Sequence, residues 1–168
     1  MLVRLAILKE IPILQDIEDD ASELFGTLPK LAFVLDYPAR EIAEYIEIVR
    51  SGRAFVAEGD SDITGFILMG VVDGQAHILE LSVRMKYQRQ GIGRRLIDTG
   101  ADWARAQGFG EITLTTFRDA PWNAPAYVRL GFEFVQPSDE RPELSCITEH
   151  ERSIGLNRAE RVAMRRSV

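Results

Sequence analysis

The stretch Leu79-Glu80-Leu81-Ser82-Val83-Arg84-Met85-Lys86-Tyr87-Gln88-Arg89-Gln90-Gly91-Ile92-Gly93 constrains the fold more than any other part of the chain. A strand-like run ends, a short polar turn follows, and paired glycines open a helical pattern. Backbone N–H groups at a helix start lack internal partners and point outward. Together with the helix dipole they favour a phosphate, and glycine lets such a group approach the backbone closely. A dinucleotide-binding loop would need a third glycine where Leu96 stands, and a P-loop would need a Gly-Lys-Ser/Thr ending, which is absent. A turn that merely packs a helix tightly on a sheet stays open at this point.

The flanking pattern predicts the rest of the fold. Val3 to Leu8 reads as a strand, and 11–25 as a helix with Ile13, Ile17, Ala21, Leu24 and Phe25 at helical spacing. Pro38 is placed to open a second helix reaching about Arg50, with Ile42, Tyr45, Ile46 and Val49 buried. Strands over 54–57, 63–72 and 76–83, the last two joined by Asp73-Gly74, predict an antiparallel meander. A helix from Gly91 to about Gln107, stopped by Gly108, leads to the β-branched strand Glu111–Phe117. Strand, helix and strand make a crossover whose two strands run parallel. A short helix over 124–130, a strand over 132–135, a helix over 140–154 and a strand over 161–165 complete the chain. The expected class is α+β: a mixed, mostly antiparallel sheet flanked by helices, with a central strand–helix–strand unit. No linker or repeat is visible, so 1–168 reads as a single domain.

Composition narrows the partners. A net charge of −6 argues against nucleic acid, despite Arg158, Arg161, Arg165 and Arg166 near the end. It favours cationic partners, a class that includes protonated amines. One cysteine, Cys146, forbids an internal disulfide and fits a reducing compartment, so a cytoplasmic location is expected. No membrane partner is expected, because no apolar run is long enough to span a bilayer. His77, His150 and Cys146 show no metal-ligand spacing, so no metal is expected. Cys146 itself reads as a buried small residue.

A second motif follows at Pro121-Trp122-Asn123-Ala124-Pro125-Ala126-Tyr127-Val128-Arg129-Leu130-Gly131-Phe132. Asn123 and Tyr127 are four apart and would share a helix face. On residue type alone, Asn123 also fits a helix cap and Tyr127 a packing residue.

Gln88, Gly91 and Gly93 meet every position of the Gln/Arg-x-x-Gly-x-Gly/Ala loop of the GNAT N-acetyltransferase superfamily, which the chain resembles from Ala76 to about Val135. The second motif is similar to the same family's Asn…Tyr…Gly-Phe segment, although Ala126 stands directly before Tyr127. The resemblance implies that acetyl-coenzyme A is the co-substrate. Its pyrophosphate would lie on Gln88, Arg89, Gln90, Gly91, Ile92, Gly93 and Arg94. Its pantetheine arm would lie along Leu81, Ser82 and Val83, with Asn123 touching coenzyme A. The Val83 N–H would polarise the thioester carbonyl, and Tyr127 would protonate the departing thiolate. Glu80 is a candidate base, with a strand charge facing solvent or a neighbour as the alternative and Glu58 as another candidate. The expected acceptor is a primary amine of a small molecule or amino-acid-like metabolite. A protein amine, a non-catalytic acyl-coenzyme A sensor, a longer acyl group and a homodimer stay open.

Overall fold

The fold is described from a computed structural model, covering residues 1–60 and 62–168. Among the described residues five α-helices and seven strands follow in chain order: β1 (Leu2–Leu5), α1 (Ile11–Gly26), α2 (Ile42–Arg50), β2 (Ala54–Glu58), β3 (Ile63–Val72), β4 (Gln75–Val83), α3 (Ile92–Ala106), β5 (Glu111–Phe117), α4 (Ala124–Arg129), β6 (Glu133–Val135), α5 (Pro142–Ser153) and β7 (Arg161–Ser167). The sheet order is β1-β2-β3-β4-β5-β7-β6. The β4–β5 pair is parallel, through Ala76 with Ile112 and His77 with Thr113. The pairs β1–β2, β2–β3, β5–β7 and β6–β7 are antiparallel. The expected mixed, mostly antiparallel sheet with its strand–helix–strand unit is therefore present.

Contacts within the chain gather into two compact units, Met1–Gly70 with Leu79–Ala101, and Val71–Ile78 with Asp102–Val168. In the first, α1 and α2 close a core on β2 and β3: Leu14, Ile17, Tyr45, Ile48, Val56, Phe66 and Leu68 are buried together. Burying each of the larger side chains contributes about 1.5–3 kcal/mol. Gly65 on β3 marks a close crossing, since a Cβ there would fall 2.8 Å from the Ser82 carbonyl oxygen. Arg4 on β1 ties strand to helix start, donating to Glu58 at 2.9 Å and to the buried Glu10 at 2.8 Å. Glu10 in turn accepts the Ile7 N–H at 3.0 Å.

In the second unit, Val72, Val135, Leu144 and Ala163 form a small core. The turn between β3 and β4 has left-handed φ values of 51° at Asp73 and 68° at Gly74, as a two-residue hairpin requires. Asp73 also caps α5 from 70 residues away, its carboxylate accepting the N–H groups of Glu143 and Leu144 at 2.9 Å each. His77 is buried beside Thr113, with Nδ1 2.8 Å from the hydroxyl, and burial pulls its imidazole down to about 4.

Several local expectations are corrected. Pro38 does not open α2. Tyr37 is extended, as a residue before proline prefers, and Glu41 is extended too, so the helix begins at Ile42. The buried face becomes Tyr45, Ile48 and Val49, and Ile42 is exposed. On α1 the core-facing residues are Ile11, Leu14 and Ile17, with Ile13 exposed. The first strand ends at Leu5 because a 3-10 turn takes over at Leu8. A further 3-10 turn covers Ala32–Asp36. Cys146 lies exposed on α5 instead of in the core.

Candidate functional site

The turn from β4 into α3 is assembled from backbone signals. After Val83, a 3-10 turn spans Met85–Tyr87, and Arg89 and Gly91 take left-handed φ values of 61° and 79°. The second value explains a glycine at 91, where open space surrounds the position a Cβ would occupy. Gln88 is half-buried and turns back on its own strand, its Nε2 donating to the Val83 carbonyl at 3.1 Å. Gln90 Nε2 lies 3.4 Å from the Lys86 carbonyl. The helix proper starts at Ile92, and the Arg95 N–H donates to the Gly91 carbonyl at 3.2 Å. The amides of the first turn therefore precede the first intrahelical bonds and point off the helix end. Ile92, Leu96 and Ile97 anchor the turn from below as buried residues. Arg89 and Arg94 are exposed, Arg94 lying 3.7 Å from Asp98. Amides, dipole, cations and an unobstructed glycine together suit a diphosphate.

Helix α1 fixes the approach to this turn. Asp16 accepts from Arg84 Nη2 at 2.6 Å, and Asp20 accepts the Met85 N–H at 2.6 Å. Two acids of the N-terminal run are thus used in holding the loop.

Glu80 stands on β4 just before the turn. Its carboxylate accepts from Ser82 Oγ at 2.7 Å. Burial pushes Glu80 up to about 7, and the charge of Glu18 adds to this; the Ser82 hydroxyl, the Arg40 guanidinium and the Leu81 N–H act the other way. A carboxyl in this state takes a proton near neutral pH, which an ordinary glutamate does not. Glu58, the other candidate base, is salt-bridged to Arg4, whose hydrogen bond holds its carboxyl below the usual range. Of the two carboxyls, Glu80 is raised toward neutrality and Glu58 is lowered.

Glu18 and Arg40 had no place in the reading of the sequence, and Tyr45 was expected only as a buried residue of α2. Glu18 on α1 accepts from the Tyr45 hydroxyl on α2, and Tyr45 is 1% exposed. Arg40, before α2, donates to the Leu79 carbonyl at 3.2 Å and to Glu44 at 3.0 Å. The available signal was Glu18 itself, one turn beyond Leu14 and beside Ile17, an acid at the edge of a buried stripe.

Glu80, Leu81, Ser82, Val83 and the loop from Gln88 to Arg94 all belong to the first unit, whereas Asn123 and Tyr127 belong to the second. Asn123 occupies the N-cap position of α4, but its side chain makes no capping bond. The Tyr127 ring meets Phe132 edge-on at 5.4 Å, and the Phe132 N–H donates to the Tyr127 carbonyl at 3.1 Å. Among the described residues no cluster of His, Cys, Asp and Glu could hold a metal ion, and no helix is long and apolar enough to cross a membrane.

The sequence model of the acetyltransferase (GNAT) family matches residues 14–132, and the chain belongs to that family. It is 32% identical over 85 residues to N-acetyltransferase family 8 member 3 of Rattus norvegicus, a match covering 47% of this chain and 37% of the relative. The chain thus aligns with well under half of that protein's length. Among solved structures it resembles N-acetylglutamate synthase from Neisseria gonorrhoeae, complexed with coenzyme A and N-acetyl-glutamate, with a TM-score of 0.71 at 20% identity over 99% of this chain and 34% of that one. It also resembles the ribosomal-protein-alanine N-acetyltransferase of Brucella melitensis, with a TM-score of 0.68 at 17% identity over the full length of both.

Proposed function

We propose that this chain transfers an acetyl group from acetyl-coenzyme A to a primary amine of a small molecule or amino-acid-like metabolite, by direct attack. The observation that carries the reading is Glu80, a carboxyl poised to take a proton near neutrality on the strand that leads into the amide-lined turn. The diphosphate of coenzyme A would rest on Gln88, Arg89, Gln90, Gly91, Ile92, Gly93 and Arg94. Leu81, Ser82 and Val83 would border its pantetheine arm, and Asn123 would touch it. Glu80 removes a proton from the acceptor ammonium, freeing the nitrogen lone pair. A C–N bond forms at the thioester carbon, with the Val83 N–H stabilising its oxygen, and the C–S bond breaks. Tyr127 gives the departing sulfur its proton, and the phenolate so formed takes up the second proton that the acylated nitrogen loses, leaving a neutral amide, free thiol and Tyr127 restored.

The experiment follows coenzyme A release over a panel of amines, for the parent chain and for Glu80→Gln. For the parent, activity should fall as pH drops through about 7, because Glu80 accepts a proton only when ionised. Glu80→Gln should lower turnover by about 100-fold or more and abolish that pH limb. Equal turnover in the two proteins would refute Glu80 as base. No release with any amine, despite coenzyme A binding, would refute the enzyme itself.

A further inference from the structure

The turn that leads into α3 is held from outside as well as by its own bonds. Its head is the 3-10 turn Met85–Tyr87, and Arg84, which precedes it, makes no side-chain capping bond. The cap comes from α1 instead: Asp20 accepts the Met85 N–H at 2.6 Å. Four residues earlier on the same face of that helix, Asp16 accepts from Arg84 Nη2 at 2.6 Å. Helix α1 can serve as a fixed post, because Ile17, three residues before Asp20, is fully buried in the core shared with β2 and β3. Strand β3 adds a second hold, its Thr64 carbonyl accepting the Arg84 N–H at 2.9 Å.

From Met85 the bonds run on into the loop. The Met85 carbonyl accepts the Gln88 N–H at 3.2 Å, and the Gln88 side chain reaches back to the Val83 carbonyl at 3.1 Å. Three residues beyond Gln88, Gly91 takes its left-handed φ of 79°, and α3 begins at the next residue. A slack turn at Met85 therefore changes where the first amides of α3 point. Resting on the reading of this turn as the seat of the coenzyme A diphosphate, we propose that Asp20 is a positioning residue for coenzyme A. By capping the Met85 turn from α1, it holds the loop in its binding form before the ligand arrives. A loop that spends only part of its time in that form binds more weakly, in proportion to the competent fraction. The sign of the effect is distinctive. An acidic side chain acting through its charge alone repels an anion, so its removal would tighten coenzyme A binding. Asp20 acts in the opposite sense, because the hydrogen bond it accepts orders the loop.

The test needs no acceptor amine. Calorimetry measures coenzyme A binding to the full chain, and NMR measures hydrogen exchange at the Met85 amide. Asp20→Ala should fold, because alanine suits a helix interior. Its Met85 amide should exchange faster, and its coenzyme A affinity should fall by about five- to tenfold, as the loss of a cap implies. Asp20→Asn loses the acid but keeps an acceptor oxygen, so its affinity should stay within about twofold of the parent. Asp19→Ala removes an exposed acid from the same helix, and there the affinity should hold or rise. Unchanged affinity in Asp20→Ala overturns the proposal while leaving the coenzyme A site in place. So does a loss in Asp20→Asn or Asp19→Ala as large as that in Asp20→Ala, since the cap would then not be its cause. A parent chain that binds no coenzyme A overturns the reading of the turn itself. If Asp20→Ala does not fold, Asp20→Ser decides by the same measurement. Its hydroxyl falls one bond short of the Met85 N–H, and parental affinity in that variant refutes the idea.

Discussion

At the scale of single residues, what could be foreseen and what could not divide along physical lines. Gly91 was legible because the turn into α3 takes a left-handed φ of 79° there, which glycine supplies without strain. Glu80 was legible as a carboxylate on the strand that leads into that turn. Its poise was not, because that comes from burial and from Glu18, a residue 62 positions earlier in the chain whose approach depends on how α1 packs. Tyr127 allows a direct test of the acid in the proposed reaction. Tyr127→Phe removes the hydroxyl and keeps the edge-on contact with Phe132. Turnover should fall by about 100- to 10,000-fold, toward the low end if water can protonate the thiolate, with coenzyme A affinity little changed. Steady-state kinetics alongside calorimetry of coenzyme A binding separate these effects. Turnover equal to the parent across the pH range would leave Tyr127 as packing alone.

At the scale of elements, β-strands and the long helix α3 followed from periodicity, while helix starts did not. The start of α2 was misplaced because proline permits a first helical turn without compelling one. Arg40 instead lies in the non-helical approach and reaches the Leu79 carbonyl. The start of α5 was out of reach for another reason. Its cap is Asp73, in a hairpin distant in sequence, and no local pattern reports it. That cap makes a stability prediction. Asp73→Gly tolerates the left-handed φ of 51° but supplies no acceptor, leaving two N–H groups at the start of α5 unsatisfied. The loss should be about 1–3 kcal/mol. Asp73→Asn, with one acceptor oxygen, should lose less. Urea denaturation read by circular dichroism measures both, and a fully stable Asp73→Gly would show the cap to be dispensable.

At the scale of the whole molecule, family membership was readable because both motifs lie within the 14–132 stretch that the family's sequence model matches. The acceptor was not, because neither motif carries a residue pattern that selects one amine over another. The net charge of −6 still predicts a bias. Cationic acceptors should show a KM that rises between low salt and about 0.5 M NaCl, as screening shortens the reach of the acidic surface. Neutral acceptors should show little change. The effect should be modest, since Asp16, Glu18 and Asp20 are already engaged by Arg84, Tyr45 and the Met85 N–H. An anionic amine preferred at every salt concentration would refute the bias. The crossing at Gly65 sets a different kind of limit, on how sequences of this fold can drift. Any side chain at that position would press on the Ser82 carbonyl and on Val83, and so shift the strand that carries Glu80. A neutral path through sequence space therefore has one residue to choose at 65. Changes elsewhere in the first unit, such as on the exposed faces of α1 and α2, leave that crossing untouched.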